Sequence, residues 1–391
     1  MATQRLSLNA QSWFYLAEKL EWKSYDPYDL LLSPYLKRFQ LSSPLIARLL
    51  VQFGKPSGIN LRRILKIVPH EETKVFSDFL SAAVNLMRIG QIWAEIYIPF
   101  LIRKIEKIAT STPGGKGWGL SFPYTSRFVN VPAFTPNIYQ TTGVVHSLLD
   151  VYEWNGDLEA FNLAKQGCSF ILQDLGCFEL KGQLWFRYWP KNDAPVINIQ
   201  ASLSGLFARL GVLSQEQEFS RIAERLVSTV MGQQRSDGSW TYSADGKANF
   251  IDGFHTGFTL QGLSEYQKYL SSNEVEKSWK AGFNFFKKEL ITDDGMPRGF
   301  AGGSVSLDGQ NFAQCVQTLA LCAQDFFDIR MSFHLWKNMV QIPQLSIIQE
   351  NKSQRHRKIK YPQLRWTISP AVLATSYLLL ASSQHVAESL S

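Results

Sequence analysis

Cysteine is scarce in this chain: Cys168, Cys177, Cys315 and Cys322 are the only four in 391 residues. None forms a CxxC pair or has a histidine nearby at ligand spacing, which excludes a zinc-finger-type metal site and a disulfide framework. No metal and no cofactor is implied. Charge is also sparse, at 19% against 45% hydrophobic residues, a balance that excludes a disordered chain. Gly114-Gly115-Lys116-Gly117 has no Ser or Thr after its lysine and is not a P-loop, and neither a GxSxG elbow nor an HExxH pair occurs. A spanning helix needs roughly 20 mostly apolar residues. The most apolar long stretch, Phe76 to Ile102, is interrupted by Asp78, Arg88 and Glu95, so it reads as a buried or interfacial helix. Met1 to Leu20 carries Glu18 and no apolar run of the signal-sequence type, and the expected location is cytoplasmic.

What charge there is leans basic, with 40 Lys and Arg against 33 Asp and Glu for a formal +7. No basic face interleaved with stacking aromatics recurs, which excludes nucleic acid as a partner. The one basic run, Arg355, Arg357, Lys358 and Lys360, reads as a solvated loop. The alternative is contact with an acidic glycan or an anionic membrane surface, the latter giving peripheral attachment at the inner membrane.

Two regions differ in texture. Residues 1–110 are poor in glycine and contain helical stretches such as Leu61–Lys66 and Leu101–Lys107, so they are expected to form a helical N-terminal extension. Thr112-Pro113-Gly114-Gly115 breaks the chain and sets a boundary near Ser111–Gly119. Across residues 111–391, apolar residues recur at helical spacing in Asn137–Glu153, Leu158–Asp174, Ile197–Leu210, Gln215–Gly232, Phe254–Leu270, Val275–Leu290, Asn311–Phe327, Ser332–Val340 and Ser369–Ala381. Short turns join the members of each pair, and long loops rich in Gly, Asp and aromatics join the pairs. Two-helix units of this kind stack side by side, and closing the row into a ring buries both of its ends. The fold expected is all-α, an (α/α) toroid of about five to six helical hairpins, with every long loop on one face.

Those loops repeat a vocabulary. Gly117-Trp118-Gly119, Trp185 with Tyr188, and Asp237-Gly238-Ser239-Trp240 present aromatic rings whose faces suit sugar C–H groups; plugging the ends of the helix pairs is the competing role. The string Phe250 to Phe258 is the most unusual. Asp252 is placed to cap a helix and His255 lies in its first turn, where a neutral imidazole would serve as a general base, with Tyr188 as the acid. Polar residues open other helices at equivalent places: Tyr139 and Gln140, Asn198, Asp308 and Asn311. Arg127 in the first long loop and Arg365, next to Trp366, could clamp a carboxylate, with a salt bridge to a loop aspartate as the alternative.

At Asp26-Pro27-Tyr28-Asp29, the Trp118 loop, Thr135-Pro136-Asn137, Asp237–Trp240, Asp252–Phe258 and Arg365-Trp366, the chain resembles a family of helical-toroid proteins encoded among bacterial polysaccharide-biosynthesis genes. By fold these are similar to six-hairpin glycosidases and, more distantly, to the helical domain of glucuronyl epimerases. The resemblance implies a sugar or glycan ligand, other polysaccharide-assembly proteins as partners, and Asp252, His255 and Arg365 as cleft residues. The chain departs from the pattern at Gln310-Asn311, where a histidine is expected. Gln234 to Trp240 also looks like one repeat of squalene-type cyclases, although their Asp-x-Asp-Asp acid motif is absent. Three readings follow: an enzyme that epimerises, eliminates or hydrolyses a sugar, uronic acids included; a non-catalytic glycan-binding or scaffold protein; and a terpenoid cyclase-like enzyme, which requires a mostly apolar cavity.

Overall fold

The computed structural model describes residues 2–54, 61–126, 129–340, 346–349, 356–359 and 362–388. Twelve helices form a double ring. In chain order they are α1 (Ala2–Lys19), α2 (Thr73–Arg88), α3 (Tyr97–Lys107), α4 (Ile138–Asn155), α5 (Leu158–Phe170), α6 (Ile197–Ser214), α7 (Gln217–Gly232), α8 (Gly253–Tyr269), α9 (Asn273–Phe285), α10 (Gly309–Leu321), α11 (Phe326–Met339) and α12 (Ser369–Glu388). The even-numbered helices form the inner ring, each packed on the next, with α12 returning to α2. Helices α3, α5, α7, α9 and α11 lie outside the inner helix that precedes them, and α1 lies outside α12.

Sequence decides which ring a helix joins. Outer α7 buries one stripe, Phe219, Ala223, Leu226, Val227, Thr229 and Val230, and turns its charged residues outward, as an amphipathic helix must. Inner α6 buries almost every residue from Ile197 to Gly211. It also packs backbone to backbone on α8: a Cβ on Gly262 would stand 2.2 Å from the carbonyl oxygen of Ala201. Starts are fixed locally, because Asn137, Asp157, Asp252, Ser272, Asp308 and Asp325 each accept backbone N–H groups of the turn they open. Asp325 explains why α11 begins at Phe326 rather than at Ser332.

The expected extension, 1–110, does not stand apart from the ring. It supplies α1, α2 and α3, and one hydrophobic core runs from Phe14 and Phe79 through Trp118 to Leu378. The stretch Phe76 to Ile102 begins in α2, an inner helix buried from Thr73 to Leu86. One described helical stretch, Leu364–Gln384, is long and apolar enough to cross a bilayer; it holds most of α12, and 78% of its apolar 18-residue window is buried inside the protein. The break at Thr112–Gly115 is a two-stranded hairpin in which Thr110 pairs with Gly117.

Loops on the long-loop face hold one another. Ile138 N–H donates to Tyr188 O, Ile197 N–H to Tyr242 O and Ala301 N–H to Ile251 O, so each loop is pinned to the next. The circuit closes between the first and last loops. Leu364 N–H donates to Ser24 Oγ at 3.0 Å, and Arg365 forks onto the Asp26 carboxylate at 2.6 and 2.8 Å. Behind Asp26, the fully buried Asp29 pairs with the fully buried Arg62 at 2.7 Å. His70 bridges Asp29 (3.3 Å) and Glu72 (3.0 Å) through its two ring nitrogens.

Burial works against charge on His70, but hydrogen bonds to the Asp29 and Glu72 carboxylates outweigh it and push its pKa from 6.5 up to about 10. A raised histidine pKa stabilises the fold fully below pH 6.5, and that contribution is lost as pH climbs through about 10. Melting temperature is therefore expected to fall between pH 7 and 10, with His70→Asn showing a slope shallower by about one proton. Equal slopes in the two proteins would remove His70 from the clasp.

Candidate active site

The inner ring encloses a cavity of about 480 Å³ to which all six inner helices contribute, within the ~300–1,000 Å³ range of small-molecule sites. At its long-loop end stand Lys74 and Asp78 of α2, Tyr139 and Gln140 of α4, Asn198 of α6, Phe254 and Phe258 of α8, and Gln310 and Gln314 of α10. Phe258 meets Tyr139 edge to face at 5.7 Å and Phe254 at 4.7 Å, which sets apolar ring faces among the amides. Gln140 Oε1, Asn198 Oδ1, Gln310 Oε1 and Gln261 Nε2 are buried in this lining and bond to no protein group. Orphaned amides are costly in a protein interior, and several around one cavity are what a polyhydroxylated ligand requires.

Lys74 and Asp78 are one helical turn apart and form a short ion pair, and Asp78 also accepts from Ser369 Oγ at 2.7 Å. Burial opposes charge on Lys74, yet Asp78 prevails and holds the ammonium above its usual range. At the short-turn end, Arg209 of the lining pairs with Asp150 (2.8 Å), Glu153 (2.7 Å) and Glu265 (3.4 Å). Burial, reinforced by Arg209, keeps His146 beside them below the ordinary histidine value.

A second cavity, about 230 Å³, opens on the rim between Asp252, Phe300, Asp308, Asn311 and Trp366, and it shares Phe254 and Gln310 with the first. Asp252 caps α8 through His255 N–H at 2.7 Å, and its two oxygens lie 2.9 and 2.8 Å from His255 Nδ1. A carboxylate can only accept, so Nδ1 carries a proton, and in the neutral imidazole the lone pair is on Nε2. His255 is half-buried, wedged edge-on against Tyr242 (4.7 Å) and Phe254 (5.2 Å). Asp308 Oδ1 caps α10 while Oδ2 accepts from Trp366 Nε1 at 3.2 Å. The Tyr188 phenol is raised well above its ordinary value, first by burial and then by the neighbouring Tyr242, Tyr139 and Tyr124.

The structure thus gathers Asp252, Tyr139, Gln140, Asn198, Asp308, Asn311 and Trp366 around two adjoining cavities; His255 lines neither but is held by Asp252 and packs on Phe254, and Tyr188 lies among the tyrosines beside them. It does not bring the tryptophans there. Trp118, Trp185 and Trp240 are core residues, 0%, 1% and 2% exposed. The Trp118 indole donates to Ile105 O and that of Trp240 to Val230 O, each locking a loop to the end of an outer helix. Asp237 is an exposed turn residue that accepts from Ser239. Arg365 spends its fork on Asp26 and its faces on Tyr28, Phe122 and Trp366, so it is no free carboxylate clamp. Arg127, Arg355 and Lys360 lie outside the described residues, and Arg357 and Lys358 fall in the strand His356–Ile359, their side chains undescribed. Sequence reasoning misses Lys74 and Gln261 and takes Asp78 only as a break in an apolar stretch; a Lys–Asp pair at i, i+4 is the available signal.

A closed double ring of six helix pairs, five of them hairpins and the sixth made of α12 and α1, with its long loops on one face, defines the (α/α)6 toroid. Solved structures of this class superpose on the chain. A family 76 α-mannanase of Bacteroides thetaiotaomicron does so at a TM-score of 0.59 with 12% identity, over 81% of this chain and 88% of its own. A cellobiose 2-epimerase of Bacillus thermoamylovorans gives 0.57 and 11%, over 80% and 90%, and a D-mannose isomerase 0.56 and 15%, over 80% and 87%. At such identities the likeness is one of fold. No family model matches the sequence, and no curated protein sequence matches it.

Because Arg365 is the partner of a buried aspartate, Arg365→Gln should destabilise the protein by about 3–5 kcal/mol, the effect of leaving a buried charge alone. Chemical denaturation would read this. An unchanged midpoint would mean that the ring does not depend on this pair.

Proposed function

We propose that this protein is a carbohydrate-active enzyme that moves a proton on a neutral sugar, by epimerisation or isomerisation, with His255 as the base. The observation that carries this reading is the Asp252–His255 pair, whose aspartate lines the rim cavity and whose imidazole packs on Phe254, a residue that cavity shares with the axial cavity of orphaned amides. Asp252 fixes the imidazole with Nε2 basic. That nitrogen takes the C2 proton of an open-chain aldose, the C–H electron pair passes into an enediolate, and return of the proton to the other face, or to C1, completes epimerisation or isomerisation. Lys74, held cationic by Asp78, supplies positive charge for the developing enediolate.

Hydrolysis fits less well. A glycosidase needs two carboxyl groups at liberty to act as acid and as base or nucleophile, whereas Asp252, Asp308 and Asp78 are committed to caps, an indole and an ammonium. A hydrocarbon substrate would leave the cavity amides unpaired, which weighs against a terpenoid cyclase. A neutral sugar is favoured over a uronic acid because the described cations at the site are matched, Lys74 by Asp78, Arg365 by Asp26 and Arg209 by Asp150. The sugar-acting enzymes among the similar folds are consistent with this reading, and a setting in polysaccharide assembly is what the family resemblance implies.

The test is solvent exchange at C2. Incubated in D2O with mannose, glucose or cellobiose, the enzyme should wash deuterium into C2 of one of them. His255→Asn should slow this by roughly 10²–10⁴-fold with no change in melting temperature. Exchange at the unaltered rate in that variant would remove His255 as the base.

A further inference from the structure

The whole of the net charge resides in one segment. Between Asp29 and Glu71 there is no acidic residue and there are seven basic ones, Lys37, Arg38, Arg48, Lys55, Arg62, Arg63 and Lys66, while the remainder of the chain holds 33 of each sign. Only Arg62 of the described six is buried, against Asp29; Lys37, Arg38, Arg63 and Lys66 are exposed. Within the segment, the helix Pro44–Gly54 is apolar nearly all round. It buries its small face, Ala47 and Val51, on Leu31 and Tyr28 in a minor core of its own. Its larger aliphatics face outward: Leu45 is 75% exposed, Ile46 43% and Leu49 57%. Ile64 and Val68 add to the exposed aliphatic surface of the segment.

We propose that this segment docks the protein on an anionic lipid surface, with Leu45, Ile46 and Leu49 entering the headgroup boundary and the cations meeting lipid phosphates. Charge complementarity selects this occupant. A second copy of the chain would bring the same acid-free surface against itself, whereas an anionic bilayer offers the opposite sign together with a slab into which exposed leucines can pass. The position has a consequence for the cleft. Tyr28, which seats the helix, packs at 5.2 Å on Trp366 of the rim cavity and at 6.2 Å on Tyr124, so docking sets the long-loop face beside the headgroups.

Sedimentation of the full chain with vesicles tests this independently of any activity. Binding is expected to vesicles of phosphatidylglycerol with phosphatidylcholine, not to phosphatidylcholine alone, and to weaken with salt. Converting Lys37, Arg38, Arg63 and Lys66 to Gln should weaken it by about fivefold per residue, and Leu45→Gln with Leu49→Gln by roughly tenfold or more per leucine. All six side chains are exposed, so unchanged circular dichroism and melting are expected. His255→Asn should bind vesicles as the unaltered protein does. Equal binding to both vesicle types, retention of binding in both variants, or dimerisation abolished by the leucine changes would each overturn the proposal.

Discussion

A row of helical hairpins becomes a ring only if its first and last members meet, and here that meeting is the bidentate pair between Asp26 and Arg365. It joins residues 339 positions apart and comes with the hydrogen bond from Leu364 to Ser24. Around it the strand-like loops are pinned in series, each donating to the carbonyl of its neighbour, so the inner helices all present their first turns to one rim. Asn85 to Ser376 and Asp78 to Ser369 carry the same closure inward between α2 and α12. A pair so deeply buried is costly to form and more costly to break. Its stacking between Tyr28, Phe122 and Trp366 offsets part of the desolvation of the guanidinium and couples the clasp to the rim cavity.

Once the ring is closed, its interior poses a problem of unmet polarity that the site solves in two ways. Charges are neutralised in place: Lys74 by Asp78 at the long-loop end and Arg209 by a cluster of carboxylates at the short-turn end. Amides are left open at the long-loop end, where Gln140, Asn198 and Gln310 hold acceptors with no protein donor. A paired charge offers little to a ligand beyond its field, whereas an orphaned amide offers a hydrogen bond that no other group in the protein can take up. Recognition by several neutral hydrogen bonds and stacked rings is the chemistry of a sugar rather than of an ion.

The helical ring was legible in the sequence from residue 137 onward because the signals are local: 3.6-residue periodicity, and Asp, Asn or Ser three residues ahead of the N–H that each caps. Asp252 and His255 were legible for the same reason, since a capping geometry brings the third residue of a helix back over its cap. Ring membership of α1 and α2 was not, because nothing local distinguishes a helix that will pack on α12 from one in an appended segment. The tryptophans misled for a related reason. A Gly-Trp or Ser-Trp turn reads identically whether its indole faces a cavity or the end of an outer helix, and only the tertiary placement of Ile105 and Val230 carbonyls decides between them. Arg365 was seen as either a clamp or a salt bridge, and Asp26, far away in sequence, settled it.

The central claim is that a sugar sits in the axial cavity against the open amides, next to the imidazole. Its most direct test is a crystal structure with mannitol or cellobiitol, whose reduced ends cannot turn over. Ligand density is predicted against the Phe254 and Phe258 rings, with hydroxyls within hydrogen-bond distance of Gln140, Asn198 and Gln310. Density confined to the outer rim, or a cavity whose amides stay unpaired at saturating ligand, would contradict the account.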